Sequence, residues 1–308
     1  MLTTLADVLR KAKQGNYAVP AFNINNMEMA MAILKAAKLE KSPVIISTSE
    51  GALEYAGLTT LGGLVHGLVK NHPYPVVYHL DHGKHVEVVL EAIKSGYYTG
   101  VMFDGSSLPT PENIATTKQL AIEAHKHGIS IEAELGAIAG IEDFVSVEER
   151  NAHLTDPNEA IMFVRETGID ALAIAIGTKH GAYKFSGAAK LDMQRLTEIR
   201  QKVHVPLVLH GASGVPEDMK NLCTKYGCKI DNAKGVSDKV IQEAISLGIS
   251  KINIDTDLRI AFVAGMRQEL TENPEVIDPR LVLGAGSKLI TQVARAKMNL
   301  FGSSNKAK

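Results

Sequence analysis

The chain has 308 residues, 45% of them hydrophobic and 22% charged, which excludes intrinsic disorder and leaves enough apolar side chains for a large core. The formal net charge is −1, so the sequence carries no overall positive field for nucleic acid or an anionic membrane. An anionic small molecule would need a local site. Length allows one domain or two, but no linker-like shift in composition divides the chain, and we expect one domain over residues 1–308.

The N-terminal segment predicts an amphipathic helix rather than a signal peptide, because it is charged from its first turns and its apolar residues recur at helical spacing. No apolar run approaches the roughly 18 residues of a membrane span. Cys223 and Cys228 are too few for a disulfide framework and match no zinc-binding spacing, which suits a reducing compartment. We therefore expect a cytoplasmic protein without a membrane partner.

Short apolar runs alternate with segments of helical periodicity along the chain. The apolar runs predict eight strands, over residues 17–25, 43–49, 75–83, 99–106, 130–136, 170–177, 206–213 and 251–257. Helices are predicted over residues 1–17, 27–39, 53–70, 86–94, 113–127, 157–167, 191–203, 258–270 and 287–301. The segment 137–156 exceeds the usual connection of about 2–6 residues in α/β units, so we expect it to be functional.

Polar residues occupy the carboxyl ends of the predicted strands. They are Asp81, His82, Asp104, Glu134, His180, His210, Asn253 and Asp255. Parallel strands require helical crossovers, and repeated right-handed crossovers can close into a barrel; the alternative is an open, doubly wound sheet. The polar residues favour the barrel, because the active site of (β/α)8 enzymes lies on that face. We expect an α/β fold, a (β/α)8 TIM barrel with an N-terminal helix and a C-terminal helical extension.

Three histidines leave strand ends in one shared context: His82 in HLDHG, His180 in GTKHG and His210 in LVLHG, each followed by glycine. A catalytic zinc holds three protein ligands and keeps one open position, and neutral imidazoles suit it. A single histidine is more often a hydrogen-bonded structural residue, but three in one context indicate a common function. The sequence therefore predicts a Zn²⁺ site formed by these three side chains.

Carboxylates lie at the same strand ends. Asp81 directly precedes a predicted ligand and would reach the reacting atoms of a bound molecule, which favours acid–base chemistry. Asp104 and Glu134 predict either a second, looser divalent metal site or an interior salt bridge. Glu132 and Glu134 alternate on one strand, so both would point inward, and the spacing leaves open which contacts metal. Glu142, in the long segment, is by default part of a solvated charge pair.

Small residues follow the seventh and eighth strands. HGASG (210–214) and NIDTD (253–257) supply Gly211, Ser213, Asn253 and Thr256, which offer amide or hydroxyl groups with little bulk. Phosphate sites of (β/α)8 barrels often lie there, built from backbone N–H groups and a helix N-terminus. Composition alone favours an ordinary turn, so only the position in the barrel supports phosphate binding.

Five ordered motifs together resemble the class II, zinc-dependent fructose-1,6-bisphosphate aldolases. They are HLDHG (79–83), EAELG followed by GIED (132–143), AIGTKHGAYK (175–184), LVLHGASGVP (207–216) and INIDTDLR (252–259). The resemblance runs from the first strand to the C-terminal helix. It implies a (β/α)8 barrel that forms a homodimer or a homotetramer.

The resemblance also implies roles for individual residues. Those implied to bind metal are His82, His180 and His210 for the catalytic Zn²⁺, and Asp104 and Glu134 for a second divalent position. Asp81 would carry the proton of the C4 oxygen, and Glu142 would take the proton from dihydroxyacetone phosphate. Those implied to bind the substrate are Asn23, Ser49, Gly181, Gly211, Ala212, Ser213, Asn253, Ile254, Asp255, Thr256, Arg259 and Arg280, with one arginine reaching across the dimer. A monovalent cation is left open as a further cofactor.

The implied reaction is the reversible cleavage of D-fructose 1,6-bisphosphate to dihydroxyacetone phosphate and D-glyceraldehyde 3-phosphate, with Zn²⁺ stabilising the enediolate. TDLR (256–259) favours this sugar over tagatose 1,6-bisphosphate, whose aldolases tend to carry TELK. Other hypotheses are a Schiff-base aldolase using Lys251, Lys179 or Lys184, and a non-catalytic sugar-phosphate-binding protein. A zinc hydrolase of the amidohydrolase type is disfavoured, because the first strand end lacks an HxH pair.

Overall fold

Eight buried, largely apolar strands pair in parallel and close into a barrel. The computed structural model describes residues 1–142, 145–147, 153–180, 191–230 and 233–307. Its strands are β1 (Val19–Asn23), β2 (Val44–Ser49), β3 (Val76–Gly83), β4 (Gly100–Phe103), β5 (Ser130–Leu135), β6 (Ala139–Glu142), β7 (Val145–Val147), β8 (Ala171–Ile174), β9 (Lys179–His180), β10 (Leu207–Leu209) and β11 (Ile249–Ile254). The barrel order is β1, β2, β3, β4, β5, β8, β10 and β11. The predicted (β/α)8 barrel is confirmed, and the open sheet is excluded.

Helices alternate with the barrel strands. They are α1 (Leu5–Gly15), α2 (Met27–Glu40), α3 (Glu50–Ala56), α4 (Leu58–Val69), α5 (Val86–Lys94), α6 (Thr110–Lys126), α7 (Pro157–Thr167), α8 (Met193–Lys202), α9 (Glu217–Lys225), α10 (Asp238–Ser246), α11 (Thr256–Glu272) and α12 (Pro279–Leu300). The predicted helix over 53–70 is divided at Gly57, whose φ of 83° is left-handed. The sequence did not predict α9 or α10. Only Met219 and Cys223 of α9 are buried, so its apolar periodicity is weak.

The N-terminal helix closes one end of the barrel. Thr4 caps α1 by accepting a hydrogen bond from the backbone N–H of Asp7. Leu5 and Leu9 are fully buried in one cluster with Val19 and Val77, which lie near the starts of β1 and β3. This packing leaves the opposite end, where the strands finish, available for a site.

The C-terminal extension packs against α2 and α11 as a single long helix. It begins at Pro279 rather than at the predicted residue 287, because Asp278 caps it and proline suits the first helical position. A Cβ on Gly265 of α11 would lie 2.5 Å from the backbone oxygen of Ala285, so α11 and α12 touch through their backbones. The extension is therefore docked tightly onto the barrel.

The two cysteines form a disulfide across the turn that ends α9. The turn returns the chain so that the backbone N–H of Cys228 donates to the carbonyl oxygen of Cys223 at 2.9 Å. The scarcity of cysteine in the sequence predicted a reducing compartment rather than this pairing. Within the described ranges, no helix combines the length and the apolar character needed to cross a membrane.

The contact between α11 and α12 predicts a stability difference between two glycine substitutions. Gly265→Ala should lower the free energy of unfolding by about 1–3 kcal/mol, because the new methyl group meets backbone atoms that cannot move cheaply. Gly63→Ala in α4 is the control: nothing lies within 4 Å, and alanine should raise helix stability by about 0.5–1 kcal/mol. Urea unfolding of both variants measures this. Equal effects would contradict the tight docking of α12.

Candidate active site

Five predicted residues converge where their strands end. Asp81 and His82 lie at the end of β3, Asp104 follows β4, Glu134 lies on β5 and His210 follows β10, and all five are buried. Candidate ligand atoms of Asp81, His82 and His210 lie within 4.8 Å of one another, and so do those of His82, Asp104 and Glu134. His82 belongs to both groups. The barrel thus assembles residues that are far apart in sequence, as expected at its carboxyl end.

The backbone at His82 is strained. Its φ is 47°, in the left-handed region that few side chains adopt, and the pairing of β3 with β4 shifts register between Leu80 and Gly83. The imidazole Nδ1 lies 3.0 Å from Asp104 Oδ2. A Cβ on Gly83 would lie 2.7 Å from the carbonyl oxygen of Met102, so the position requires glycine. The HLDHG motif therefore serves the local backbone as well as the predicted metal site.

Glu50 fixes the chain that leaves this bend. Its Oε1 accepts the backbone N–H groups of Lys84 at 2.8 Å and His85 at 2.9 Å, and its Oε2 lies 2.6 Å from His85 Nδ1. Glu50 follows β2, the barrel neighbour of β3. No pattern in the sequence points to Glu50, because its role depends on which strands are neighbours in the barrel. Glu50 is a positioning residue for the strand end that carries His82.

His210 is oriented from behind by a buried carboxylate. Its Nε2 lies 2.8 Å from Glu132 Oε1, and the Nζ of Lys251 lies 2.8 Å from Glu132 Oε2. All three side chains are essentially unexposed. Because Glu132 accepts a hydrogen bond from Nε2 of His210, the imidazole proton lies on Nε2. The other ring nitrogen, Nδ1, is therefore the one suited to a metal.

This network bears on two alternatives left by the sequence. Glu134 joins His82 and Asp104, whereas Glu132 lies behind His210, so Glu134 is the carboxylate of this pair that can contact a metal. Lys251, one of the Schiff-base candidates, is fully buried in its pair with Glu132. A signal for the pair existed, because alternation puts Lys251 and Glu132 on inward faces, and a buried charge needs a partner.

Asp81 is held by two amides. Asn23 donates from Nδ2 to Asp81 Oδ2 at 2.9 Å, and Asn253 donates from Nδ2 to Oδ1 at 2.7 Å. The sequence predicted that both asparagines would contact the substrate. Their Oδ1 atoms are buried and have no hydrogen-bond partner among the described residues, so each retains one acceptor for a ligand hydroxyl. The carboxylate of Asp81 is thus fixed in orientation beside the ligand groups.

The buried ionisable groups shift one another's pKa values. Burial lowers the pKa of His82, but the carboxylates of Asp81, Asp104 and Glu134 outweigh it and raise that pKa from 6.5 to about 10. Burial and then the charge of Asp104 raise the pKa of Glu134 well above its usual range. Burial and then the charge of Lys251 lower the pKa of His79, so this buried imidazole is neutral. The site therefore has an excess of negative charge that favours a bound cation.

The chain around His180 lies beside the chain around His210. β6 pairs in parallel with β9, with Gly140 opposite His180. A Cβ on Gly211, whose φ is 61°, would lie 2.8 Å from the carbonyl oxygen of Lys179. The sequence predicted a functional loop over 137–156 but not the short sheet of β6, β7 and β9, whose two to four residues show no periodicity. The side chains of His180 and Glu142, and Gly181 as a whole, lie outside what the structure describes.

The predicted phosphate-binding stretches follow β10 and β11. Gly211, Ala212 and Ser213 leave β10, while Asn253 and Ile254 end β11, followed by Asp255 and by Thr256 at the start of α11. Ile254 is fully buried, so only its backbone can reach a ligand. Asp255 is buried and pairs with Arg259 at 2.7 Å.

Ser49 and Arg280, two of the residues implied to bind the substrate, lie in different settings. Ser49 is buried and caps α3, with its Oγ accepting the backbone N–H of Ala52 at 3.3 Å. Arg280 has an 88% exposed side chain and pairs with Asp278 at 2.7 Å at the start of α12. The structure therefore brings Ser49 close to a strand end but does not bring Arg280 into the buried group.

The fold and the donor set define a class of protein. A closed parallel barrel with imidazole and carboxylate groups at its carboxyl end is a TIM-barrel protein with a site suited to a divalent cation. Glu134 Oε2 fits this interpretation, because it is buried and has no hydrogen-bond partner among the described residues. The donors present therefore fit a metal ion.

The chain belongs to the class-II fructose-bisphosphate aldolase family, whose profile matches residues 3–306. It is 47% identical over 307 residues to a fructose-bisphosphate aldolase of Thermus caldophilus, covering 100% of both chains. It is 43% identical to one from Helicobacter pylori, covering 99% of this chain and 100% of that protein. The crystal structure of the YdjI aldolase from Escherichia coli K12 matches with a TM-score of 0.82 and 33% identity, covering 100% of both chains. The chain is thus a metal-dependent aldolase by family.

The Glu132 network predicts a loss of metal affinity on substitution. Glu132→Gln should weaken divalent metal binding by about 10–100-fold, because the amide no longer provides a charged acceptor for His210. Competition with a chromogenic chelator measures the dissociation constant independently of turnover. Glu166→Gln, a half-exposed carboxylate on α7, is the control and should bind metal as the parent does. Unchanged affinity in folded Glu132→Gln would show that Glu132 does not orient the ligand.

Proposed function

We propose that this chain catalyses the reversible aldol cleavage of D-fructose 1,6-bisphosphate to dihydroxyacetone phosphate and D-glyceraldehyde 3-phosphate. The observation that carries the proposal is the arrangement around Asp81: a carboxylate fixed by two amides lies within 4.8 Å of the candidate ligand atoms of His82 and His210. Family membership supplies the aldol chemistry. A proton carrier beside a cation site is what such a cleavage requires.

The metal in this proposal is Zn²⁺, held by His82, His180 and His210. Imidazole ligands suit zinc, and the tautomer fixed by Glu132 leaves Nδ1 of His210 for it. When bound, the ion supplies the positive charge that stabilises the carbanion left next to the substrate's ketone. Asp104 and Glu134 form a second divalent position that shares His82. A monovalent cation is a further proposed cofactor.

The chain's own residues handle the protons. In the cleavage direction, Asp81 accepts the proton of the C4 hydroxyl as the C3–C4 bond breaks, and the bonding electrons remain on C3. Glu142 then delivers a proton to C3 to complete dihydroxyacetone phosphate, and the reverse reaction uses the same groups in opposite roles. The amides of Asn23 and Asn253 support this role for Asp81, because they hold its carboxylate in one orientation.

The two phosphates bind at different sides of the site in this proposal. The residues for the dihydroxyacetone phosphate half are Gly181, Gly211, Ala212, Ser213, Asn253, Ile254, Asp255 and Thr256. Ser49, Asn23, Arg259 and Arg280 serve the other half. Because Arg280 is exposed in its own chain, it fits the arginine that reaches into the neighbouring subunit of a homodimer or homotetramer. We also propose a single domain over 1–308 and a cytoplasmic location.

Removing metal tests the proposal. Turnover of fructose 1,6-bisphosphate should fall to background after chelation and return with Zn²⁺, because the carbanion then lacks its stabilising charge. A coupled assay of the triose products measures this, with tagatose 1,6-bisphosphate as the comparison substrate. Activity that survives chelation, together with borohydride trapping of a substrate adduct, would identify a Schiff-base aldolase instead. Faster turnover of the tagatose sugar would overturn the substrate assignment.

A substitution at Asp81 tests the proton carrier. Asp81→Ala should lower kcat by about 10²–10⁴-fold with a modest change in KM, because it removes a proton-transfer group and leaves the phosphate contacts. Glu87→Ala, an exposed carboxylate in the first turn of α5, is the control and should keep parental kinetics. Normal kcat in Asp81→Ala would show that another group carries the proton.

A further inference from the structure

The chain after the HGAS segment contains a strained residue. Val215 has a φ of 49° and is buried, although a β-branched side chain strongly disfavours left-handed backbone. Such a conformation persists only when surrounding contacts impose it. Because Val215 lies two residues after Ser213, these contacts also fix the exit of the proposed phosphate-binding stretch.

Asp257 supplies two of these contacts. Its Oδ2 accepts the backbone N–H of Gly214 at 3.1 Å, and its Oδ1 accepts the backbone N–H of Val215 at 2.8 Å. The Asp257 side chain is fully buried in the first turn of α11. One carboxylate thus holds two consecutive amides, which orients the peptide plane on each side of Gly214.

Lys297 balances the charge of Asp257 from α12. Its Nζ lies 2.9 Å from Asp257 Oδ2, and its side chain is 7% exposed. A Cβ on Gly214 would lie 2.9 Å from the same Nζ and 3.2 Å from the carbonyl oxygen of Val236. The lysine therefore lies directly against the backbone of the stretch. Without it, Asp257 would be an unpaired buried negative charge close to where an anion is proposed to bind.

The position of Lys297 is set by the docking of α12. Arg295 pairs with Glu40 at the end of α2, and Gly265 allows α11 to contact α12 through the backbone. The contacts that hold α12 therefore also hold the lysine. This gives the C-terminal extension a route of direct contacts, from α12 through Lys297 and Asp257, to the backbone after Ser213.

We propose that Lys297 and Asp257 are positioning residues for phosphate binding, through which the C-terminal helix holds the stretch after β10. The inference rests on the proposed phosphate-binding function of Gly211, Ala212 and Ser213. Lys297 acts in two ways: it keeps Asp257 in place as the acceptor of two amides, and it neutralises a charge that would repel the phosphate. Neither residue is proposed to touch the substrate.

The test measures phosphate binding separately from turnover. Lys297→Met keeps the length of the side chain but removes the charge, and should weaken binding of inorganic phosphate to the full-length protein by about tenfold, as measured by calorimetry. Asp257→Asn, a second variant, should weaken it in the same direction. In the fructose 1,6-bisphosphate assay, both should raise KM more than they lower kcat. Lys288→Met is the matched control, because it removes the charge of an exposed lysine on the same helix.

The outcomes separate this inference from the proposed function. Unchanged phosphate affinity in folded Lys297→Met and Asp257→Asn overturns the inference even if the parent cleaves the sugar. Weakened phosphate binding in a parent that fails to cleave it supports the inference and contradicts the proposed function. If the parent binds no phosphate, the inference is overturned. Hydrogen exchange of the parent adds a check without variants: the Gly214 and Val215 amides should exchange slowly, and fast exchange contradicts their hold by Asp257.

Discussion

Negative charge is concentrated inside one end of the barrel, and the surrounding structure is arranged to balance it. Four of the buried carboxylates are those of Asp81, Asp104, Glu132 and Glu134. An uncompensated buried charge costs several kcal/mol, so each requires a partner. Lys251 pairs with Glu132, and two side-chain amides donate hydrogen bonds to Asp81. The imidazole Nδ1 of His82 lies 3.0 Å from the carboxylate of Asp104. Glu134 is left with a raised pKa, and a divalent cation is the partner that would complete the set. The interior of the fold and the candidate metal site are therefore one electrostatic arrangement.

The same device stabilises two strained bends on this face of the barrel. His82 and Val215 are both non-glycine residues with positive φ. After the first, two successive backbone N–H groups donate to Glu50; at the second, two successive N–H groups donate to Asp257. In each case the carboxylate comes from the first turn of the helix that follows an adjacent barrel strand, α3 after β2 beside β3 and α11 after β11 beside β10. Neighbouring β/α units thus fix each other's loops, which is how a parallel barrel can hold a strained site.

The sequence predicted what depends on one strand at a time. All eight barrel strands and the burial of Asp81, His82 and His210 at strand ends follow from apolar runs and from the residues that terminate them. The sequence did not predict in this way which side chains from different strands contact one another. Whether Glu132 or Glu134 reaches His210 depends on how strands are staggered around the barrel, and alternation assigns both to the same face. The hydrogen bonds from Asn23 and Asn253 to Asp81 likewise depend on how three different strands, β1, β11 and β3, are arranged in the barrel. No local pattern in the sequence encodes that arrangement.

His82 and His210 are not equivalent as candidate metal ligands. Asp104 engages Nδ1 of His82, whereas Glu132 engages Nε2 of His210, so a cation between them would meet opposite nitrogens of the two rings. A carboxylate behind a ligating imidazole raises its basicity. Lys251 withdraws part of that effect from Glu132. Among the described residues, Asp104 accepts hydrogen bonds from neutral groups, the backbone N–H and hydroxyl of Ser106, besides its contact with His82. His82 should therefore be the stronger donor and His210 the weaker one.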